Sequence, residues 1–263
     1  MSEQGKFLFL GSGGSMGIPI IGCECPVCTS ESSFNKRLRP SALITLGEKT
    51  VLIDCGPDFR LQALGYGIKT LDGVIITHAH QDHTGGIDDL RIYTFKRGGI
   101  PLPCLLSKST LDDLKYRFYY IYNDAGDYQK LTTAFEDIIL DGTEGDLKFL
   151  GMDIQYVTYE QGGMPVNGFR FGDLAYLTDI RKFDDDIFKS LKNLKTLIIS
   201  ALRFTPSHLH LSVDEAVDFA HRVGAEQTYF THIGHELEHE KTNAVLPANI
   251  QLAYDGLELA FEI

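Results

Sequence analysis

Short apolar runs recur along this chain, set apart by turns rich in Gly, Pro and Asp. The run at 6–10 reads as a first strand, and 41–46 and 50–54 read as a hairpin around Gly47-Glu48-Lys49. Helical spacing covers 59–64, and a buried strand follows at Val74-Ile75-Ile76. Helical patterns return at 87–93 and 108–122, on either side of a short strand at 101–106. The aromatic set on the second of these, Tyr116, Phe118, Tyr119, Tyr120 and Tyr122, is read as core and cap packing rather than as a stacking platform. Residues 124–145 are polar and interrupted by Gly, which suggests a lid or insertion. Four strands come next, at 152–159, 168–171, 174–178 and 194–199, with a helix at 184–191. Ser212 is placed to cap a helix that runs to Val223, with Asp214 and Glu215 in its first turn. A strand at 227–231, a helix at 238–245 and a closing pair of strands at 250–254 and 257–263 complete the chain.

Hairpins come first and helix-alternating strands later, in each half of the sequence. That order predicts the α/β (α+β) class, with two sheets packed face to face and helices outside, a four-layer αββα sandwich. No internal repeat or low-complexity linker divides the chain, so a single domain over 1–263 is expected.

Composition narrows the function classes. A chain of 263 residues that is 43% hydrophobic can bury a full core. A formal net charge of −12 disfavours generic capture of nucleic acid, although a local basic pocket for a small phosphorylated molecule remains compatible with it. No apolar run is long enough for a membrane span, and the first residues lack the basic start and apolar stretch of a signal peptide. Cys23, Cys25 and Cys28 lie too close together for an ordinary disulfide framework. They predict a reducing cytoplasm and a bound metal. Cys55 and Cys104 read as buried thiols.

The candidate chemistry sits where apolar strands end. Thr77-His78-Ala79-His80-Gln81-Asp82-His83-Thr84-Gly85-Gly86 follows the Val74 strand directly. Imidazoles and carboxylate together suit a divalent transition metal. His78 and His80 are two apart, so on extended backbone they point the same way. Asp82 and His83 follow the turn and can face a second point, so one loop could serve two ions. Asp179 ends the strand at 174–178 and supplies the bridging carboxylate that a two-metal site needs. His232 leaves the strand at 227–231 in the same manner. The glycine-rich turn Gly11-Ser12-Gly13-Gly14-Ser15-Met16-Gly17 resembles a phosphate cradle, but no Lys-Ser/Thr pair ends it and no helix pattern follows, which argues against a nucleotide P-loop.

His78-x-His80-x-Asp82-His83, followed by Asp179 and His232, resembles the metallo-β-lactamase superfamily over essentially the whole chain. The Cys-x-Cys-x-x-Cys loop at 22–28 and the pair His232 and His235 narrow the likeness to the PhnP-type phosphodiesterases. That resemblance implies a structural Zn2+ on Cys23, Cys25, Cys28 and His235. It also implies two active-site ions, Zn2+ or Mn2+, one on His78, His80 and Asp179 and one on Asp82, His83, Asp179 and His232. The superfamily expects a further histidine before the bridging Asp, and lining up 168–170 and 176–179 with the family pattern puts Gln161 at or near that place. A neutral amide oxygen is a poorer partner for zinc than imidazole, so the first ion is expected to be held more weakly. In the stretch 206–216, His210 matches the family's proton donor to the leaving group, and His208 beside it is a further catalytic candidate. His221 and His239 are read as surface or structural residues.

The resemblance therefore implies a metal-dependent phosphodiesterase acting on a small cyclic or nucleotide-like diester. A hydroxide generated on the metals would attack phosphorus, with Asp82 orienting it and His210 protonating the leaving alkoxide. The expected partner is a small phosphodiester, with no membrane involved, and a homodimer is compatible with the sequence. The alternatives are a nucleotide- or phosphate-binding protein with a degenerate metal site and another hydrolase of the superfamily, resembling PqqB or a tRNA-processing ribonuclease.

Overall fold

The computed structural model describes residues 3–123 and 132–263. Two seven-stranded sheets account for the strands found there. The first contains β1 (Gln4–Gly11), β2 (Ser41–Leu46), β3 (Lys49–Ile53), β4 (Gly73–Ile75), β5 (Leu102–Leu106) and β6 (Phe135–Ile139). The second runs from β7 (Glu144–Phe149) through β8 (Met152–Gln161), β9 (Met164–Phe171), β10 (Leu174–Leu177), β11 (Thr196–Ser200) and β12 (Gln227–Thr231) to β13 (Ile250–Leu252). The last strand, β14 (Glu258–Glu262), returns to the first sheet, beside β1. The resulting orders are β14-β1-β2-β3-β4-β5-β6 and β13-β12-β11-β10-β9-β8-β7.

Side-chain alternation assigns each strand residue to a layer. Val51, Ile53 and Ile75 of the first sheet point inward, where they meet Phe169, Tyr176 and Ile198 of the second. Their neighbours Leu52 and Val74 point outward, under α1 (Phe59–Gly65), α3 (Arg91–Lys96) and α4 (Lys108–Arg117), where Phe59, Tyr93, Leu111 and Leu114 cover them. On the far side, Leu197, Ile199 and Phe230 pack beneath Ile187 of α6 (Ile187–Ser190) and Val213, Ala216 and Phe219 of α7 (Val213–Val223). Three apolar layers between four structural layers make the expected αββα sandwich.

Several boundaries differ from the sequence reading. Strands β13 and β14 do not pair with each other. The chain between them crosses the sandwich edge, anchored by Ala253 N–H donating to Phe230 O and Gly256 N–H donating to Phe9 O. Each strand then extends a different sheet. The helix expected at 108–122 breaks at Phe118 (φ −114°, ψ 43°) and resumes as α5 (Tyr119–Tyr122). Phe118, Tyr120 and Tyr122 pack on the outer core as expected, whereas Tyr116 and Tyr119 are exposed. The pattern at 87–93 is a 3-10 turn at Ile87–Leu90 running into α3, and the helix at 184–191 shrinks to α6. The lid or insertion expected at 124–145 lies partly outside the described residues, at 124–131. Its remainder holds β6 and the start of β7.

Candidate metal centre

Four strand-to-loop exits meet at one end of the sandwich. The motif loop leaves β4 and enters the one-turn helix α2 (Gln81–Thr84), so His78 and His80 precede the turn while Asp82 and His83 lie in it. Asp54 follows β3, Asp179 follows β10 and His232 follows β12. All three of these residues hold positive φ, 60°, 54° and 55°. Left-handed backbone is uncommon outside glycine, and a fold retains it where the surroundings impose it, often at functional sites. Here it turns three side chains from three strands toward one point.

The second constellation is compact. His83 Nε2 lies 3.1 Å from Asp179 Oδ2 and 3.5 Å from Asp82 Oδ2, and His232 Nε2 lies 3.3 Å from both Asp82 Oδ2 and Asp179 Oδ1. Metal–nitrogen and metal–oxygen bonds of about 2.0–2.2 Å at tetrahedral angles set donor atoms about 3.3–3.5 Å apart. The side chains already stand at that spacing. His83 Nε2 is buried and has no hydrogen-bond partner, as expected of an atom that faces a cation. These residues fit a divalent ion. The first constellation consists of His78, His80 and Asp179, with His78 Nε2 3.0 Å from His80 Nδ1.

The far nitrogens of the imidazoles are held by a carboxylate that the sequence reading passed over. Asp54 Oδ2 accepts a hydrogen bond from His83 Nδ1 at 2.7 Å. The same carboxylate accepts from Thr77 N and Thr77 Oγ1, each at 2.8 Å, and Thr77 Oγ1 lies 3.0 Å from His78 Nδ1. One buried Asp thus orients an imidazole at each constellation, leaving Nε2 free for metal. Its signal in the sequence was a carboxylate directly after an apolar strand, the same signal that marked Asp179. Arg117 was also missed. From the end of α4 it donates to Ala79 O, to Thr84 Oγ1 at 3.0 Å and to Gln81 Oε1 at 3.3 Å, which latches the helix onto the motif loop.

The charges reinforce one another. Burial pushes the Asp82 and Asp179 carboxyls up, but the surrounding histidines, His83 and His232, outweigh it and hold both below the usual range. Burial likewise opposes charge on His83 and His232, yet the carboxylates raise both imidazoles. His78, deeply buried beside His83, is pushed down.

Gln161 ends β8 inside the site, with Nε2 2.9 Å from Asp179 Oδ1. His210 stacks on His232 with ring centroids 4.8 Å apart, and its Nδ1 is 3.6 Å from Asp179 Oδ1. Burial, with His232 adding to it, lowers His210 to about 4, so its resting form is a neutral imidazole. His208 is not brought into the cluster. It is exposed and lines a separate groove with Arg181, Lys182, Phe183 and Glu215, as the chain bends over 208–210. The site cavity is about 410 Å³ and is lined by His80, Asp82, Gln161, Asp179, His210 and His232, with Ser15, Gln81 and Leu209 beside them. The glycine-rich turn forms one wall, as Gly14 N–H donates to Ile233 O and Ile233 N–H donates to Ser12 O. A Cβ on Gly14 would stand 3.1 Å from Leu202 Cδ1 and 3.3 Å from His232 Nδ1, so a side chain there would crowd the imidazole.

The cysteine loop forms a second centre. Cys23, Cys25 and Cys28 Sγ lie 3.3, 3.5 and 3.6 Å from His235 Nδ1. Bonds of about 2.3 Å to sulfur and about 2.0 Å to nitrogen at the tetrahedral angle give a separation of about 3.5 Å. The Cys28 backbone N–H draws the Cys25 thiol down to about 6 against the effect of burial, whereas burial pushes Cys28 up to about 11. His239 is structural. It is buried against Phe34 and receives Arg37 Nη2 at 3.1 Å, while His221 is exposed on α7.

Comparison with known proteins agrees with this geometry. The sequence model of the beta-lactamase superfamily domain matches residues 49–233. A crystal structure of a diphosphatase from the PhnP family superposes with a TM-score of 0.92 at 41% identity, covering 100% of this chain and 99% of that one. The Zn2+-bound PqqB of Methylobacterium extorquens shares the fold, with a TM-score of 0.78 at 16% identity over 97% of this chain and 99% of that one. An octanoyltransferase of Porphyromonas gingivalis is 35% identical over 258 residues, 96% of this chain. The match covers only 51% of the octanoyltransferase, so this chain spans about half its length.

Proposed function

The chain belongs to the PhnP family of the beta-lactamase superfamily, and on that footing we propose that this hydrolase breaks a P–O bond in a small phosphodiester. The observation that carries the reading is the meeting of the Asp82 and Asp179 carboxylates with the His83 and His232 nitrogens at ion-binding distances, at the floor of an open cavity. The diphosphatase likeness supports chemistry at phosphorus and makes a diphosphate linkage a related candidate. Octanoyl transfer forms no part of the proposal, since the relative that carries that name is about twice as long.

His78, His80 and Asp179 would hold one divalent ion and Asp82, His83, Asp179 and His232 another. When bound, such ions supply Lewis acidity and an activated water near neutral pH. The chain's own residues do the rest. Asp82, fixed ionised by His83 and His232, accepts a hydrogen bond from the attacking water and aims it. Asp54 keeps the imidazoles in the tautomer that leaves Nε2 available. His210, at the cavity wall, faces the departing oxygen. A phosphodiester anion beside it favours the imidazolium and so lets it donate.

The test is turnover of bis(p-nitrophenyl) phosphate by metal-reconstituted protein and by its Asp179→Ala variant. Loss of turnover by about three orders of magnitude is expected, as several kcal/mol of charge stabilisation disappear. Full activity in the variant would defeat the proposal. Metal analysis separates the rival reading of a phosphate-binding protein. Metal in the His/Asp site besides the cysteine centre supports a hydrolase, whereas metal at the cysteine centre alone supports a binder.

A further inference from the structure

The Gln161 side chain is wholly enclosed at the end of β8, and only one of its two polar atoms is used. Nε2 stands 2.9 Å from Asp179 Oδ1 and, on its other side, 3.1 Å from His210 Nε2 and 3.3 Å from His210 Nδ1. Oε1 is buried with no hydrogen-bond partner. The orientation of the amide follows from these distances. An amide oxygen 2.9 Å from a carboxylate oxygen would set two acceptors together with no proton between them. The nitrogen carries two protons: one meets the carboxylate, and the other lies against the His210 ring, about equally far from its two nitrogens. The oxygen, on the other arm of the amide, is left without a hydrogen-bond partner.

We propose that Gln161 is a positioning residue whose amide nitrogen ties His210 to Asp179 and holds the imidazole over the metal centre, while contributing no ligand to the His78–His80 pair. The assignment rests on the hydrolase reading only for what His210 is held ready to do. Binding a metal requires Oε1, and presenting Oε1 at the same place means turning the amide over and losing both nitrogen contacts. The donor sets then differ in strength. Asp82, His83, Asp179 and His232 bring four protein donors together, whereas His78 and His80 share only Asp179. One oxygen of that carboxylate already accepts the Gln161 amide. The two positions therefore fill in order, and residue 161 sets the interval between them.

The experiment uses the full chain, zinc-loaded and labelled with 15N at histidine, in the wild type and in Gln161→Ala and Gln161→His. Ring nitrogen shifts report the tautomer of His210, and chelator competition reports the affinity of each metal. Neither readout needs turnover, so failure here is distinct from failure of the hydrolase assignment. In Gln161→Ala the His210 ring signals are expected to shift and broaden as the ring loses its support, with active-site metal content unchanged. In Gln161→His the weaker active-site metal should tighten at least about tenfold, in line with the effect of a full imidazole ligand. Retention of the zinc at Cys23, Cys25, Cys28 and His235 verifies folding. If the alanine variant fails to fold, Gln161→Met keeps the volume without the amide and carries the same test. Unmoved His210 signals would overturn the proposal. Loss of an active-site metal in Gln161→Ala would overturn it too, by making Gln161 a ligand, as would an unchanged affinity in Gln161→His.

Discussion

Asp54 Oδ2 lies 2.7 Å from His83 Nδ1, and both side chains are wholly buried. The pair sets the position of the metal-facing nitrogen, because an imidazole that donates from Nδ1 presents Nε2 as the acceptor. Asp54→Asn is the informative change. Asn tolerates the left-handed backbone at this position, so the loop is retained. It removes the charge that supports the His83 proton and the Thr77 hydroxyl together. Metal affinity or kcat/KM should fall by about 10–100-fold, measured by chelator competition and diester turnover. An unchanged variant would mean that a neutral oxygen acceptor suffices to orient the imidazoles.

The cysteine centre is expected to act on stability rather than on chemistry. Its ligands join the loop after β1 to the loop after β12, a separation of more than two hundred residues. Cys28→Ala leaves three donors and should release one equivalent of zinc per chain. Ligands at a structural site contribute folding free energy directly, so the variant should melt several degrees lower. At about 2–4 °C per kcal/mol for a chain of this size, the drop is readable by calorimetry. Chelation of the wild type with EDTA should reproduce it.

His210 and His208 are two residues apart and face different surroundings. His210→Ala removes the imidazole that meets Asp179 and His232, and turnover should fall by about 10²–10⁴-fold, the range of general acid catalysis. The loss should be smallest for a substrate such as bis(p-nitrophenyl) phosphate, whose leaving group needs little protonation. His208→Ala alters only an exposed groove, and its turnover should match the wild type. Equal losses in the two variants would point to a general disturbance of the loop.

Most of the architecture was legible because burial imposes period. Alternating layers at Val51-Leu52-Ile53 are written in the chain, as are the strand-end positions of His78, Asp179 and His232. What escaped was non-local. Nothing near Asp54 tells that its carboxylate reaches His83, twenty-nine residues on. Nothing in Arg117 marks it as a latch on a loop more than thirty residues earlier. Tyr116 is exposed because it lies two residues past the buried Leu114, on the outer face of α4, and the break at Phe118 changes the face of Tyr119, which follows it. The closing strands were paired by adjacency, whereas two sheets with open edges each take one. His208 was grouped with His210 by proximity in sequence, and a loop's path decides otherwise.

The helix over the outer face of the second sheet gives a prediction in pH. Ser212 caps α7 by accepting from Glu215 N, and Glu215 Oε2 accepts from Ser212 N at 2.8 Å, while Glu215 Oε1 pairs with Arg181 at 2.7 Å. Burial would raise the Glu215 carboxyl, but the Ser212 N–H and Arg181 outweigh it and hold the group below its ordinary value of 4.5. A carboxylate whose pKa is depressed by folding adds stability above the unfolded value, and that stability is lost as pH falls through the folded value. Glu215→Gln keeps an acceptor for the cap and removes the charge. At pH 7 it should destabilise by about 0.5–1 kcal/mol, the scale of a partly exposed pair, and lower Tm by about 2 °C. The difference should shrink as pH falls below 4.5 and the native glutamate takes up its proton. Thermal melts of both proteins at pH 7 and pH 3.5 make the comparison. A gap that stayed constant across that interval would assign the effect to the shape of the cap instead of to its charge.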